Sequence, residues 1–262
     1  SELNRLASAW FDQHAMAPEA IEHALAAQEY EETRRLMRSY FPSWWRSQAK
    51  RTILRWFEAF PDEFIHSEPW LCVAYAWQIW GLGDMGRAGE LLAHAQQAVD
   101  MLKANGRFPE DDLEYDALPA EILAFKALIT TQKNDPQQVI DLANQALSIV
   151  PEKASTVHAI AYSSLSVVYR DLGDMEKAIE ICRRQLPYAV AGGEIGTIVT
   201  AHQFLGVTLT IQGRLCEAEE VFQDALAYAE SKGEADFPAY SLIRFRLGDF
   251  YYQINQVDEA ES

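Results

Sequence analysis

Apolar residues in this chain recur at steps of three and four, the spacing that lines one face of an α-helix. In "EPWLCVAYAWQIW", residues Trp70, Leu71, Ala74, Trp77 and Gln78 follow that step. Pro69 suits a first helical turn, with Ser67 or Glu68 near the cap. In "KRTILRWFEAF", Ile53, Trp56, Phe57 and Phe60 share one face while Arg51, Arg55 and Glu58 lie off it. That pattern predicts an amphipathic core helix ended by Pro61. A helix lying on a membrane surface needs a broader basic face than Lys50, Arg51 and Arg55 provide. Upstream, "LNRLASAWFDQHAMAPEAIEHALAA" predicts a helix, a turn at residues 15–18 and a second helix with Ala20, Ala24 and Ala27 as a close-packing stripe. No stretch alternates as a half-buried strand does, so the fold class is all-α.

Between the helices, "WGLGDMGRAGE" holds Gly81, Gly83 and Gly86 at the spacing of the dinucleotide-binding G-x-G-x-x-G. That loop needs a strand before its first glycine, and here a helix pattern leads in. "LGDM" at residues 82–85 also returns at residues 172–175, as a structural repeat does and a cofactor loop has no reason to. Looser copies surround Asn134, Gly213 and Asn255, giving turn residues 51, 39, 40 and 42 apart. Gly and Asn are the residues that tolerate a left-handed backbone where a helix ends. Tyr162, Leu165, Ser166 and Tyr169 precede Gly173, and Ala178 and Cys182 follow it. Leu205, Gly206 and Leu209 precede Gly213, with Ala218 and Phe222 after; Leu247, Gly248 and Tyr251 precede Asn255, with Ala260 after. Around Gly83 stand Tyr75, Ala76, Ile79 and Ala88. The Asn134 copy departs most, with Lys126 and Val139 at two of the equivalent positions.

These side chains resemble the tetratricopeptide pattern W-x2-L-G-x2-Y…A-x3-F. Small residues let two antiparallel helices approach, and large apolar ones fill the space between pairs. The resemblance implies a right-handed superhelix of antiparallel helix pairs. Residues 1–60 form helical pairs leading into it, and residues 61–262 form the repeats, as one continuous solenoid ending inside the second helix of a repeat. The surplus over the usual repeat length falls in "AGGEIGT" and "SKGEADFP", and residues 105–119 are expected to form an exposed loop. In repeats of this type the first helix of each pair lines the concave face. That puts Trp70, Val73, Trp77 and Trp80 on the face from the first pair, and Ser163, Val167 and Arg170 from the third. Gln203, Val207 and Thr210 follow from the fourth pair, and Phe245, Asp249 and Tyr252 from the fifth. The candidate ligand or partner groove is therefore Trp70, Trp77, Trp80, Arg170, Gln203, Phe245, Asp249 and Tyr252. Aromatic planes beside polar groups suit a sugar ring, an apolar ligand or a peptide. Packing between repeats is the other use for the three tryptophans. The basic side chains that grip a C-terminal carboxylate in chaperone-binding repeats are missing from these positions.

Charge sharpens the list of partners. Residues 1–60 hold eight Lys/Arg and eight Asp/Glu, so the whole net charge of −17 falls on residues 61–262. Such a surface keeps the chain soluble and repels phosphate backbones, which argues against direct nucleic-acid contact. No run of eighteen apolar residues exists for a membrane span, and "SELNRLASAWFDQHA" is not a signal peptide. Cys72, Cys182 and Cys216 are odd in number and far apart, which fits a reducing cytoplasm.

Candidate chemistry is sparse. His14, His23, His66, His94, His158 and His202 form no H-E-x-x-H and pair with no cysteine at metal-ligand spacing. His23 and His94 sit in Ala-rich helix patterns. There is no Walker A loop and no G-x-S-x-G elbow. "EDDLEYD" is acidic but lacks the D-x-[DN]-x-[DN]-G of a calcium loop, so it reads as a solvated segment. No catalytic, cofactor or metal site is expected, and the chain is not expected to be an enzyme.

The first hundred residues carry a more specific likeness. "AWF" at residues 9–11, "EAIEHALAA" at 19–27 and "EYEETRRLM" at 29–37 resemble a segment of the MalT-like regulators, as does "ILRWFEAFPDEFIHSEPWLCVAYAWQIWGLGDMGRAGELL" at 53–92. These are large ATP-dependent transcriptional regulators with a LuxR-type C-terminus. The resemblance implies a middle, helical-repeat region, excised from a longer chain. That region receives a small-molecule inducer or a regulatory protein and couples it to self-assembly. ATP is expected on an N-terminal domain and DNA on a C-terminal helix-turn-helix, both outside this chain. The alternative is a general tetratricopeptide scaffold that binds a peptide or protein and has no role in transcription.

Overall fold

The computed structural model describes residues 1–44, 50–109, 112–133, 135–232 and 238–254. The turn residues Asn134 and Asn255, and Ala260, lie outside the described residues. Among the described residues every regular element is helical, and the chain divides into two compact units, Ser1–Phe108 and Pro109–Ser262.

The first unit holds α1 (Glu2–Gln13), α2 (Ala17–Ala27), α3 (Tyr30–Trp44), α4 (Lys50–Glu58), α5 (Asp62–Ser67), α6 (Pro69–Trp80) and α7 (Met85–Ala104). The expected turn after α1 is present: Ala15 takes a left-handed φ of 55°, and Pro18 falls in the first turn of α2. Ser8 Oγ donates to the Ala20 carbonyl at 2.8 Å, where the small stripe of α2 meets α1. On α4 the predicted face is the buried one: Ile53, Trp56 and Phe57 are in the core, and Arg51, Arg55 and Glu58 are exposed. The Phe57 ring stacks on Tyr75 of α6 at 4.8 Å, and the Tyr75 hydroxyl accepts from Arg87 of α7 at 2.7 Å.

The second unit holds α8 (Leu113–Thr130), a 3-10 turn (Thr131–Lys133), α9 (Pro136–Ile149), α10 (Ser155–Asp171), α11 (Met175–Gly192), α12 (Ile195–Ile211), α13 (Leu215–Ser231) and α14 (Pro238–Gln253). Helices α8 and α9, α10 and α11, and α12 and α13 form the pairs, and the first helices α8, α10, α12 and α14 pack in succession. Residues 105–119 are not one loop. Helix α8 begins at Leu113, because the Asp112 carboxylate caps it by accepting from Glu114 N at 3.1 Å, and Tyr115, Ala117 and Leu118 are buried. Glu114 and Asp116 stay exposed in the first turn, where the helix dipole favours acids, so an acid-rich stretch is helical with Pro119 inside it.

The turns explain the repeated motif. Gly83, Gly173 and Gly213 have φ of 88°, 82° and 78°, values that only glycine adopts without strain. The amide of the next residue reaches back five positions each time: Asp84 to Ile79, Asp174 to Tyr169 and Arg214 to Leu209. The aspartates then cap the following helix, Asp84 accepting from Arg87 N at 3.0 Å and Asp174 from Lys177 N at 3.2 Å. "LGDM" is thus one device that ends a helix and starts the next.

Seven residues before and nine after each described glycine turn, both positions are buried: Ala76 and Leu92, Ser166 and Cys182, Gly206 and Phe222. A Cβ built on Gly206 would stand 2.5 Å from Phe222 Cε1 and Cζ, so the glycine makes room for the ring. Ala88, Ala178 and Ala218, on the second helices, are fully buried as the packing pattern requires.

Candidate functional site

Five of the eight candidate residues fall in the second unit, on α10, α12 and α14. Arg170, near the end of α10, reaches α12, where its guanidinium lies over the Phe204 ring at 5.8 Å from the centroid. Its side chain is 24% exposed, and its nearest acid is Asp171, Nε to Oδ1 at 3.6 Å. Among the described residues its guanidinium donates no hydrogen bond. Gln203, one residue before Phe204, is half-buried, and its amide likewise makes no hydrogen bond among the described residues. Val167 and Val207 are half-buried, whereas Ser163 is closed into the core. On α14, Asp249 is half-buried and accepts from Gln253 at 2.9 Å. Phe245 and Tyr252 are 65% and 70% exposed. Phe204 was not among the sequence candidates. It adjoins the Leu205–Gly206 packing pair and shows itself only once Arg170 is placed above it.

The three tryptophans belong to the first unit, on α6. Trp70 is buried at 8% exposure and offers a ligand little surface. Trp77 and Trp80 are half-buried and meet edge to face, with centroids 5.6 Å apart and planes at 89°.

The residues set aside in the sequence have structural partners. His158 stacks on Tyr188 at 4.3 Å and bonds the Ala154 carbonyl through Nδ1. His202 is buried and donates Nδ1–H to the Ile198 carbonyl at 2.8 Å; burial holds its pKa below the ordinary value. His66 of α5 and His94 of α7 stack at 3.7 Å. Burial first, then the neighbouring His94, lower His66, with Asp62 opposing. Cys182 is buried, and desolvation pushes its thiol up to about 11; Cys72 rises to about 12 for the same reason and donates Sγ–H to Ile65 O. Thiols held so far from the thiolate are poor nucleophiles. At the "GLGDMG" turn, α6 leads in as a helix, and the Asp84 carboxylate already occupies the α7 N-terminus where a pyrophosphate would have to sit. No described group of three or more His, Cys, Asp or Glu is placed to hold a metal ion. No described helix is long and apolar enough to cross a membrane.

The interior of the α10–α11 pair is unusually polar. Ser164 and Ser166 are buried, and Ser166 and Thr208 both hydrogen-bond the Cys182 thiol. Gln185 is fully buried with neither amide atom hydrogen-bonded, at the register position that Ala95, Ala146 and Ala225 fill in other pairs.

Helix pairs joined by left-handed glycine turns and packed through small residues define a tetratricopeptide-type repeat protein. A family model described as the MalT-like TPR region matches residues 120–262, more than half of the sequence, and the chain belongs to that family. The chain is similar to the HTH-type transcriptional regulator MalT of Vibrio cholerae serotype O1, 24% identical over 256 residues, which are 97% of this chain and 27% of the relative. It thus spans about a quarter of that relative's length. Among solved structures it is similar to a signal transduction ATPase with numerous domains and a tetratricopeptide repeat sensor, from Pyrococcus horikoshii. The TM-score is 0.68 at 16% identity, over 93% of this chain and 35% of that one. It is also similar to a Rap protein complexed with competence and sporulation factor, with a TM-score of 0.61 at 17% identity, over 95% of this chain and 73% of that one. These last two likenesses concern the fold.

Proposed function

We propose that this chain is the signal-receiving and partner-binding region of a bacterial transcription activator. The observation that carries the proposal is the family match across the second unit, together with likeness to MalT along nearly the whole chain. Support for a receiving role comes from the sensor repeats of the Pyrococcus ATPase and from the factor-bound Rap protein, which share this fold. On this proposal the face of first helices takes a small-molecule inducer or a regulatory protein. The ATP-binding and DNA-reading parts lie elsewhere in the full-length regulator, and self-assembly is the output. The chain has no catalytic step to perform. Its work is differential binding, because a ligand shifts an equilibrium only by its preference for one state.

The test is a DNA mobility-shift and sedimentation experiment on the full-length regulator, with ATP, against a panel of sugars, signalling metabolites, short peptides and purified partner proteins. An effector that changes both DNA binding and assembly, and loses that effect when groove residues are substituted, supports the proposal. A regulator that assembles and binds DNA identically with every member of the panel refutes it.

A further inference from the structure

Helix α1 is two-sided. Its inner face holds it to α2: Phe11 stacks on His23 at 5.2 Å, Asn4 Oδ1 meets His23 Nδ1 at 3.2 Å, and Ser8 Oγ donates to the Ala20 carbonyl. Asp12 adds an ion pair with Arg35 of α3 at 2.6 Å. The opposite face carries Leu3, Leu6 and Trp10, at steps of three and four, and they are 76%, 59% and 51% exposed. A single exposed leucine is ordinary, but three large apolar residues in one row form a patch. His14, just past the helix, stacks on Trp10 at 3.9 Å and bonds the Trp10 carbonyl through Nδ1 at 2.7 Å, which holds the indole in place as part of that surface. Neither the proposed receiving face nor the packing of the repeats uses this row.

Charge selects what covers it. The row and the residues that border it, Ala7, Ala9, Gln13 and His14, include no Asp, Glu, Lys or Arg. Glu2, next to Leu3, is paired with Arg5 at 2.6 Å. Residues 61–262 carry the whole net charge of −17, so two copies of this chain repel one another when those parts approach. Residues 1–60, with eight Lys/Arg and eight Asp/Glu, can meet without that repulsion. A basic partner is drawn to the acidic surface instead, and an uncharged row gives it no hold. The row is also self-complementary. A two-fold axis near Leu6 lays α1 antiparallel on its copy, with Leu3 of one beside Trp10 of the other. We infer that α1 is a self-association helix, and that a second copy of this chain covers Leu3, Leu6 and Trp10 through the same row. This rests on the proposed function, whose output is self-assembly, and gives that step a surface. The row supplies roughly half of the 800 Å² per partner of a standard stable interface, so the contact is weak and forms as concentration rises.

The test is sedimentation equilibrium of the 262-residue chain from low micromolar to near millimolar concentration. The mean mass is expected to rise from one copy toward two. Leu6→Glu and Trp10→Glu should each weaken association about tenfold or more, with circular dichroism unchanged because both positions are exposed. Added salt should not weaken it, since the contact is apolar. In a Cys216→Ser background, where the two remaining cysteines are buried, Leu6→Cys places two thiols beside the two-fold axis. A mild oxidant should then give a disulfide-linked dimer, which Glu152→Cys should not. A chain that stays monomeric at every concentration overturns the inference. So does a dimer that salt dissociates and Leu6→Glu leaves intact, which moves the contact to charged surfaces. In the monomeric full-length regulator, a Leu6→Cys thiol closed to labelling reagents assigns the row to another segment of that regulator and also overturns it. Each of these results leaves the receiving role standing, because that role depends on the effector response of the full-length regulator.

Discussion

The Gly206–Phe222 contact predicts a rescue that the chain already uses elsewhere. Adding a methyl group at residue 206 places it 2.5 Å from two ring carbons of Phe222 and 3.0 Å from a third, well inside the ~3.5–4 Å of ordinary carbon contact. The ring has little room to yield, since Phe222 is 1% exposed among Leu209, Ala218 and Phe250. Overpacking of this kind costs about 3 kcal/mol at the tight end, and the better helix propensity of alanine returns about 1. Gly206→Ala is therefore expected to destabilise by about 2 kcal/mol. Phe222→Leu alone costs about 1 kcal/mol as a size reduction in a core. In the first pair Ala76 and Leu92 occupy the equivalent positions, both fully buried. The double variant should thus be within about 1 kcal/mol of the native chain, against the ~3 that additivity gives, a coupling of about 2–3 kcal/mol. Urea unfolding followed by circular dichroism measures it, with slopes compared across variants because repeat arrays depart from two-state behaviour. A neutral Gly206→Ala, or a double variant that is simply additive, refutes the size-matching account.

Gln185→Leu should stabilise the chain by about 1–2 kcal/mol, since it replaces an unbonded buried amide with an apolar side chain of similar volume; a lower urea midpoint would show that the amide is satisfied by something such as a buried water. Asp174→Ala removes the cap on Lys177 N and should cost about 1 kcal/mol, read as a lowered thermal midpoint that Asp174→Asn largely restores. His66 and His202 both have pKa values held below the ordinary one, chiefly by burial. Unfolded histidines therefore take up protons first as pH falls. The stability they contribute is complete above about pH 6.5 and is lost as pH drops through the depressed values. Urea midpoints should fall between about pH 7.5 and about pH 5.5, and His66→Gln with His202→Gln should flatten that slope; an unchanged slope removes these two as the cause.

The helices were legible because their signals are local. The step of three and four, the Gly83 and Gly173 turns and the Ile53–Trp56–Phe57 face all lie within a few residues of one another, and the structure keeps each. The start of α8 was missed for the opposite reason. "EDDLEYD" has loop-like composition, and the helical state of its residues 113–116 depends on Tyr115, Ala117 and Leu118 being buried in a core that the local sequence does not display. For the candidate face, the sequence showed which helices its residues stand on. Register alone put Arg170 and Gln203 on neighbouring helices that do pack side by side. Register could not foresee that Trp70 is closed into the core, or that Arg170 lies on Phe204. Both outcomes depend on how deeply one helix sinks against the next, which is set by side-chain volumes across pairs.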